Sequence, residues 1–136
     1  MKKVFLIFTV FIISSCAGTG RDTGLLFKQI NTNETVVFVK RSTGWQGSMA
    51  LVKVSVNGMT VGELGEGERT SANVRPGPAV LSANFTGLAS IASTGGTRQF
   101  NLKTGGKAFF VIKQDVGFAS TKISIFQINQ REFFYN

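Results

Sequence analysis

The stretch Leu51-Val52-Lys53-Val54-Ser55-Val56-Asn57-Gly58-Met59-Thr60-Val61 decides the fold. Valine alternates with polar residues from 52 to 56, the period of a half-buried strand. Asn57-Gly58 follows, two residues that both tolerate positive φ and so close a two-residue hairpin. Such a loop sets the register: Val56 opposite Met59, Val54 opposite Val61, Val52 opposite Glu63. Val52, Val54, Val56, Met59 and Val61 then share a core face, while Lys53, Ser55, Thr60 and Gly62 turn away.

Strand patterns continue on either side of this hairpin. Residues 35–40, Thr-Val-Val-Phe-Val-Lys, are β-branched and apolar on both faces, as in a central strand. Strands over 70–75 and 80–86 flank the turn Arg75-Pro76-Gly77-Pro78, and Leu81, Ala83 and Phe85 line one face of the second. Residues 99–103, the turn Thr104-Gly105-Gly106 and residues 108–113 read as another hairpin, whose second strand is apolar on both sides. Residues 122–128 form a further strand, and Phe133-Phe134-Tyr135 reads as a docked terminal strand, with an edge strand open to a partner as the alternative. No segment sustains a 3.6-residue period. The expectation is an all-β domain over 34–136: a single antiparallel β-sandwich, immunoglobulin-like or prealbumin-like, of about 7–8 strands.

The N-terminus belongs outside that domain. Lys2 and Lys3 precede the run Val4–Ile13, which is apolar except for Thr9. A membrane-spanning helix needs roughly 20 apolar residues, and this run is half that. Small residues then follow at Ser14-Ser15-Cys16-Ala17-Gly18, the layout of an export signal. Ile13-Ser14-Ser15-Cys16 resembles the lipobox of bacterial lipoproteins, an aliphatic residue and two small ones before a cysteine. The resemblance implies a diacylglycerol thioether on Cys16, cleavage between Ser15 and Cys16, and a fatty acid such as palmitate on the new amine. Ala17 stands where an Asp would resemble an inner-membrane retention signal. In a cell with two membranes this favours the outer one, facing the periplasm. The expected organisation is a signal peptide over 1–15, a lipidated tether over 16–33, and the sandwich beyond.

Cys16 is the only cysteine, so the exported domain has no disulfide framework. Histidine is absent, which removes His-based acid–base catalysis, Ser-His-Asp triads and the usual zinc sites. No catalytic residue, metal site or cofactor is expected; a Ser-Lys hydrolase is the one enzymatic arrangement the composition leaves open. Loss of Lys2 and Lys3 with the leader lowers the net charge from +8 to +6, and export argues against nucleic acid as the partner. The remaining cations are scattered singly and read as a solvated surface.

Three glycine-rich segments invite functional readings. Thr104-Gly105-Gly106-Lys107 is similar to the end of a phosphate loop, but Asn101 replaces its first glycine and Ala108 its magnesium-binding hydroxyl. Residues 62–68 space Glu63, Glu66 and Glu68 closely without the oxygen density of a calcium loop, and read as a mobile acidic loop. Residues 88–97 read as a small, flexible loop, either a rim contact or without a role. Trp45 lies in the polar loop Ser42-Thr43-Gly44-Trp45-Gln46-Gly47-Ser48. An exposed Trp there would stack on a sugar or peptide; one folded back would plug the end of the sandwich.

Val37-Phe38-Val39-Lys40-Arg41, Val54-Ser55-Val56-Asn57-Gly58, Val61-Gly62-Glu63-Leu64, Pro76-Gly77 and Gly106-Lys107-Ala108-Phe109-Phe110 together resemble a family of short bacterial lipoproteins, domain of unknown function 2846. The likeness spans about residues 34 to 128. It implies a β-sandwich lipoprotein and supplies no activity. Pro78 departs from the polar residue usual after Pro-Gly and removes the amide that would close that turn. The expected function is a non-enzymatic envelope lipoprotein, held to the membrane at Cys16, whose sandwich contacts an envelope protein or a cell-wall polymer. The alternative is a domain dedicated to cell-wall glycan or another anionic polymer.

Overall fold

The computed structural model describes residues 18–44 and 50–136. The signal peptide over 1–15, Cys16 and Trp45 lie outside the described residues. In chain order the elements are α1 (Thr23–Ile30), β1 (Val36–Arg41), β2 (Val52–Val56), β3 (Met59–Leu64), β4 (Arg69–Asn73), β5 (Gly77–Phe85), a 3-10 turn (Gly87–Ser90), β6 (Ser93–Thr94), β7 (Gly96–Leu102), β8 (Lys107–Val116), β9 (Thr121–Ile128) and α2 (Gln130–Tyr135). The strands form a five-stranded sheet, β4-β1-β8-β9-β6, and a four-stranded sheet, β3-β2-β5-β7. The two sheets pack face to face, so the protein is an all-β sandwich as its strand patterns predict.

The hairpin expected around Asn57-Gly58 is present. Asn57 and Gly58 have φ of 49° and 80°, the double positive φ its turn requires. Val52, Val54 and Val56 are buried. Beyond the turn the expected register fails, because a bulge at Val61 sets Gly62 opposite Val54 and Leu64 opposite Val52. Leu64 therefore takes the place opposite Val52 that the expected register gave to Glu63, while Met59, expected in the core, is 75% exposed.

Three further expectations are corrected. The sandwich is mixed rather than wholly antiparallel: β1 pairs with β8 in parallel, and β6 with β9. Residues 99–103 and 108–113 do not form a hairpin, since β7 lies in one sheet and β8 in the other. Their connection crosses between sheets and is pinned by Lys107, whose Nζ donates to the carbonyls of Thr32 (2.9 Å), Gly105 (3.1 Å) and Glu34. Phe133-Phe134-Tyr135 belongs to helix α2 and not to a strand. Asn129 caps that helix, its side chain accepting from the Glu132 amide at 2.8 Å.

Residues 18–33 are not a free tether. Thr19 N donates to Glu63 O at 2.7 Å and Arg21 N to Arg69 O at 2.6 Å, so this segment bridges the edges of β3 and β4. Asp22 then caps α1 by accepting from Gly24 N at 2.7 Å, and Leu26 is wholly buried beneath the helix. Both helices lie on the outer face of the five-stranded sheet.

That placement gives the domain two cores. Alternation along β1 sends Val37 and Val39 between the sheets, where they meet Leu81, Phe110, Ile112 and Ile123. Val36 and Phe38 point the other way and join Leu26, Phe109, Phe133 and Phe134 under the helices. The second core is largely aromatic: Phe38 stacks on Phe109 at 4.8 Å, and Phe27 on Phe134 at 3.9 Å. The two strands that are apolar on both faces, β1 and β8, are neighbours and both have this double cover.

Candidate functional site

The C-terminal end of β1 gathers charge that is dispersed in the sequence. Alternation puts Lys40 on the helix-covered face and Arg41 between the sheets, in line with Val37 and Val39. Arg41 is 1% exposed. Its Nη1 donates to the carbonyls of Ala50 (2.6 Å) and Leu64 (2.9 Å). The Gln114 side chain, with its oxygen turned to the guanidinium, accepts from Nε at 2.8 Å and from Nη2. The guanidinium carbon lies 5.9 Å from the centre of the Phe85 ring. Burial lowers the Arg41 pKa, and the nearby carboxylates of Glu66 and Glu68 oppose that shift. An arginine stays charged regardless. It acts as a clamp, tying the start of β2, the end of β3 and the far part of β8 to β1.

Lys40 is 7% exposed and donates Nζ to the carbonyls of Glu132 (2.6 Å) and Asn136 (3.0 Å). Arg69, its cross-strand partner on β4, donates Nε to Phe133 O at 3.0 Å. Two cations thus meet the carbonyl end of α2, where positive charge complements the helix dipole. Burial lowers the Lys40 pKa, as do Arg69 and Lys113, while Glu132 raises it. Lys113 stands over the Phe126 ring at 5.5 Å.

Between these groups is a cleft of about 380 Å³, lined by Lys40, Arg41, Ser42, Thr43, Arg69, Lys113 and Glu132 among others. Its lining carries four cations and, of these residues, one carboxylate. The field at its mouth suits an anionic ligand. Ser42 and two lysines line the same cleft, but the Lys40 ammonium is held by the two carbonyls at the end of α2.

The picture of cations scattered over a solvated surface does not hold here: Lys40 and Arg41 are buried, and the sheet brings Arg69 and Lys113 to them. The parity of Arg41 with Val37 and Val39 was the signal available in sequence. The Glu63–Glu68 region is a tied turn rather than a mobile loop. Glu68 accepts from Gly65 N at 2.8 Å, and Glu66 from Gly44 N at 2.7 Å. Residues 88–97 are likewise built, into the 3-10 turn, β6 and the start of β7. Of the residues singled out in sequence, Ser15, Cys16 and Trp45 lie outside the described residues; Gly44 and Ala50, which flank the 45–49 segment, are both held at this end of the sandwich. Among the described residues no group of three His, Cys, Asp or Glu is placed to hold a metal, and no helix is long and apolar enough to cross a membrane.

No family model matches the chain, and no curated protein matches it. Among solved structures, the NMR structure of a protein from Eubacterium rectale is similar at 18% identity, covering 82% of this chain and 99% of that one with a TM-score of 0.43.

Proposed function

We propose that the chain is a cell-envelope lipoprotein, acylated at Cys16 after cleavage at Ser15, whose β-sandwich is a non-enzymatic binding or structural module. The observation that carries this reading is the place of the lipobox just ahead of a residue that the sandwich holds. The lipobox ends at Cys16, and the folded domain is already hydrogen-bonded at Thr19. Cleavage before Cys16 would thus remove no residue that the described sandwich holds. With no histidine and its one thiol given to lipid, the chain lacks the usual nucleophile–base pairs, which favours a non-catalytic role. The likeness to the domain of unknown function 2846 lipoproteins points the same way. Metabolic labelling with a fatty-acid analogue tests it: wild type is labelled and Cys16→Ala is not. Label retained by Cys16→Ala would refute the anchor.

The cationic cleft favours a second reading, in which the module holds an anionic cell-wall polymer or glycan. Lys113 supplies exposed charge there, and Thr43, two residues before Trp45 in the chain, is part of its lining. Retention on purified peptidoglycan sacculi, compared among wild type, Lys113→Ala and Trp45→Ala, decides it. Equal retention of all three would exclude both residues from binding.

A further inference from the structure

Thr19 and Glu63 are joined by reciprocal hydrogen bonds. The Thr19 amide donates to Glu63 O at 2.7 Å, and the Glu63 amide donates to Thr19 Oγ1 at 2.8 Å. Gly18 fits so closely that a Cβ there would stand 2.0 Å from a Glu68 carboxylate oxygen and 2.6 Å from Glu63 O. Little slack therefore remains before Cys16. A fully extended chain covers at most about 3.6 Å per residue, so Thr19 is within about 11 Å of Cys16. An acylated Cys16 would hold this end of the sandwich against the lipid surface.

Strand register shows which residues share that end. Phe85 lies opposite Val52, and Val52 opposite Leu64, so β5 finishes where β3 does. Arg41 lies opposite Ile112, so β8 runs past the end of β1 toward its tip at 116–118. Thr121 pairs with both Val116 and Ser93, and its amide donates to Ala92 O at 3.1 Å. Ile91, Val116 and Phe118 consequently sit at adjacent strand ends, with Leu88 one 3-10 turn behind Ile91.

All four are bare. Leu88 is 86% exposed, Ile91 80%, Val116 56%, and Phe118 fully exposed. The opposite end of the sandwich, with Asn57-Gly58, Asn73 to Pro76 and Lys103 to Gly106, shows only Met59 as a large exposed apolar side chain among the described residues. The apolar tips share this end with the cationic cleft of Lys40, Arg41, Arg69 and Lys113, whose charge suits anionic headgroups. Clustered apolar tips of this kind mark a contact surface, and a bilayer interface is the one that a Cys16 anchor brings within reach.

We infer that this end rests on the bilayer, with Leu88, Ile91 and Phe118 in the headgroup–acyl boundary and no spacer between lipid and domain. The inference rests on acylation of Cys16. The test uses the full chain, acylated and reconstituted in phosphatidylethanolamine–phosphatidylglycerol vesicles that contain nitroxide-labelled lipid. An environment-sensitive fluorophore is attached to Leu88→Cys, Phe118→Cys or Asn101→Cys in turn, since the thioether leaves Cys16 unreactive. The expected result is blue-shifted emission at 88 and 118 and nitroxide quenching there at least roughly twofold that at 101. Equal quenching at all three positions, with the acyl mass confirmed on the Cys16 peptide, would overturn the docked end and leave the anchor standing. Absence of that mass would overturn both.

Discussion

The five-stranded sheet is covered on both faces, by sheet on one and by helices on the other. Its inner face meets the four-stranded sheet through aliphatic residues that alternate along long strands. Its outer face carries fewer and larger groups, chiefly phenylalanines, roofed by α1 and the six-residue α2. The inner core spans many strands and can open only if the sandwich does. The outer core depends on two short helices that are held by caps and by cations on carbonyls. Equal burial on the two faces therefore need not mean equal cooperativity.

Truncations make the comparison measurable. Phe110→Ala, in the inner core, should cost about 3–5 kcal/mol in urea unfolding and lower hydrogen-exchange protection throughout both sheets. Phe133→Ala removes a comparable ring beneath α2, but its loss is bounded by detachment of that helix. It should cost less than Phe110→Ala, exposing α2 amides while those of β1 and β8 stay protected. Identical global losses from the two would show that the faces unfold as one unit.

The N-terminal seam offers the next largest effect. Gly18→Ala forces a Cβ onto Glu68 and Glu63. Overpacking of this kind should cost about 1–3 kcal/mol. Proteolysis is expected to cut near residues 18–21 in the variant before it cuts the sheets. Asn129→Ala, which removes the α2 cap, should cost roughly 0.5–2 kcal/mol. That loss should appear in α2 exchange and leave the inner core's protection unchanged.

The smallest effect is a pH slope. Lys40 has its pKa lowered, first by burial, then by Arg69 and Lys113. Between that lowered value and the ordinary 10.5, the unfolded chain binds the proton more tightly, so this group's contribution to stability rises with pH. Its cost is fully present at lower pH, where both states are charged. Wild type should therefore gain on Lys40→Met in urea midpoint as pH is raised toward 10.5. A constant gap would count against a burial cost at Lys40.

How much of this was readable follows from where each signal resides. The β2–β3 turn was legible because Asn57-Gly58 is a local requirement on φ, whereas the Val61 bulge shows only in the strand pairing. Strands β1 and β8 announced cover on both faces, yet nothing local said that one cover would be helical. Helix α2 was missed because three consecutive aromatics at 133–135 read as a strand; its cap at Asn129 is seen in the structure. The cleft was illegible because Lys40, Arg69 and Lys113 belong to three strands that register alone makes neighbours.

The chain by itself determined a sandwich, its principal turn, its core-facing valines and the lack of histidine chemistry, since periodicity, backbone φ preference and composition are local properties. Tertiary structure alone decided the parallel β1–β8 pairing, the aromatic core beneath the helices, the burial of Arg41 and the shared end of Gly18, Leu88 and Phe118. Those depend on which distant segments meet, and the free energy that selects the meeting belongs to the packed whole.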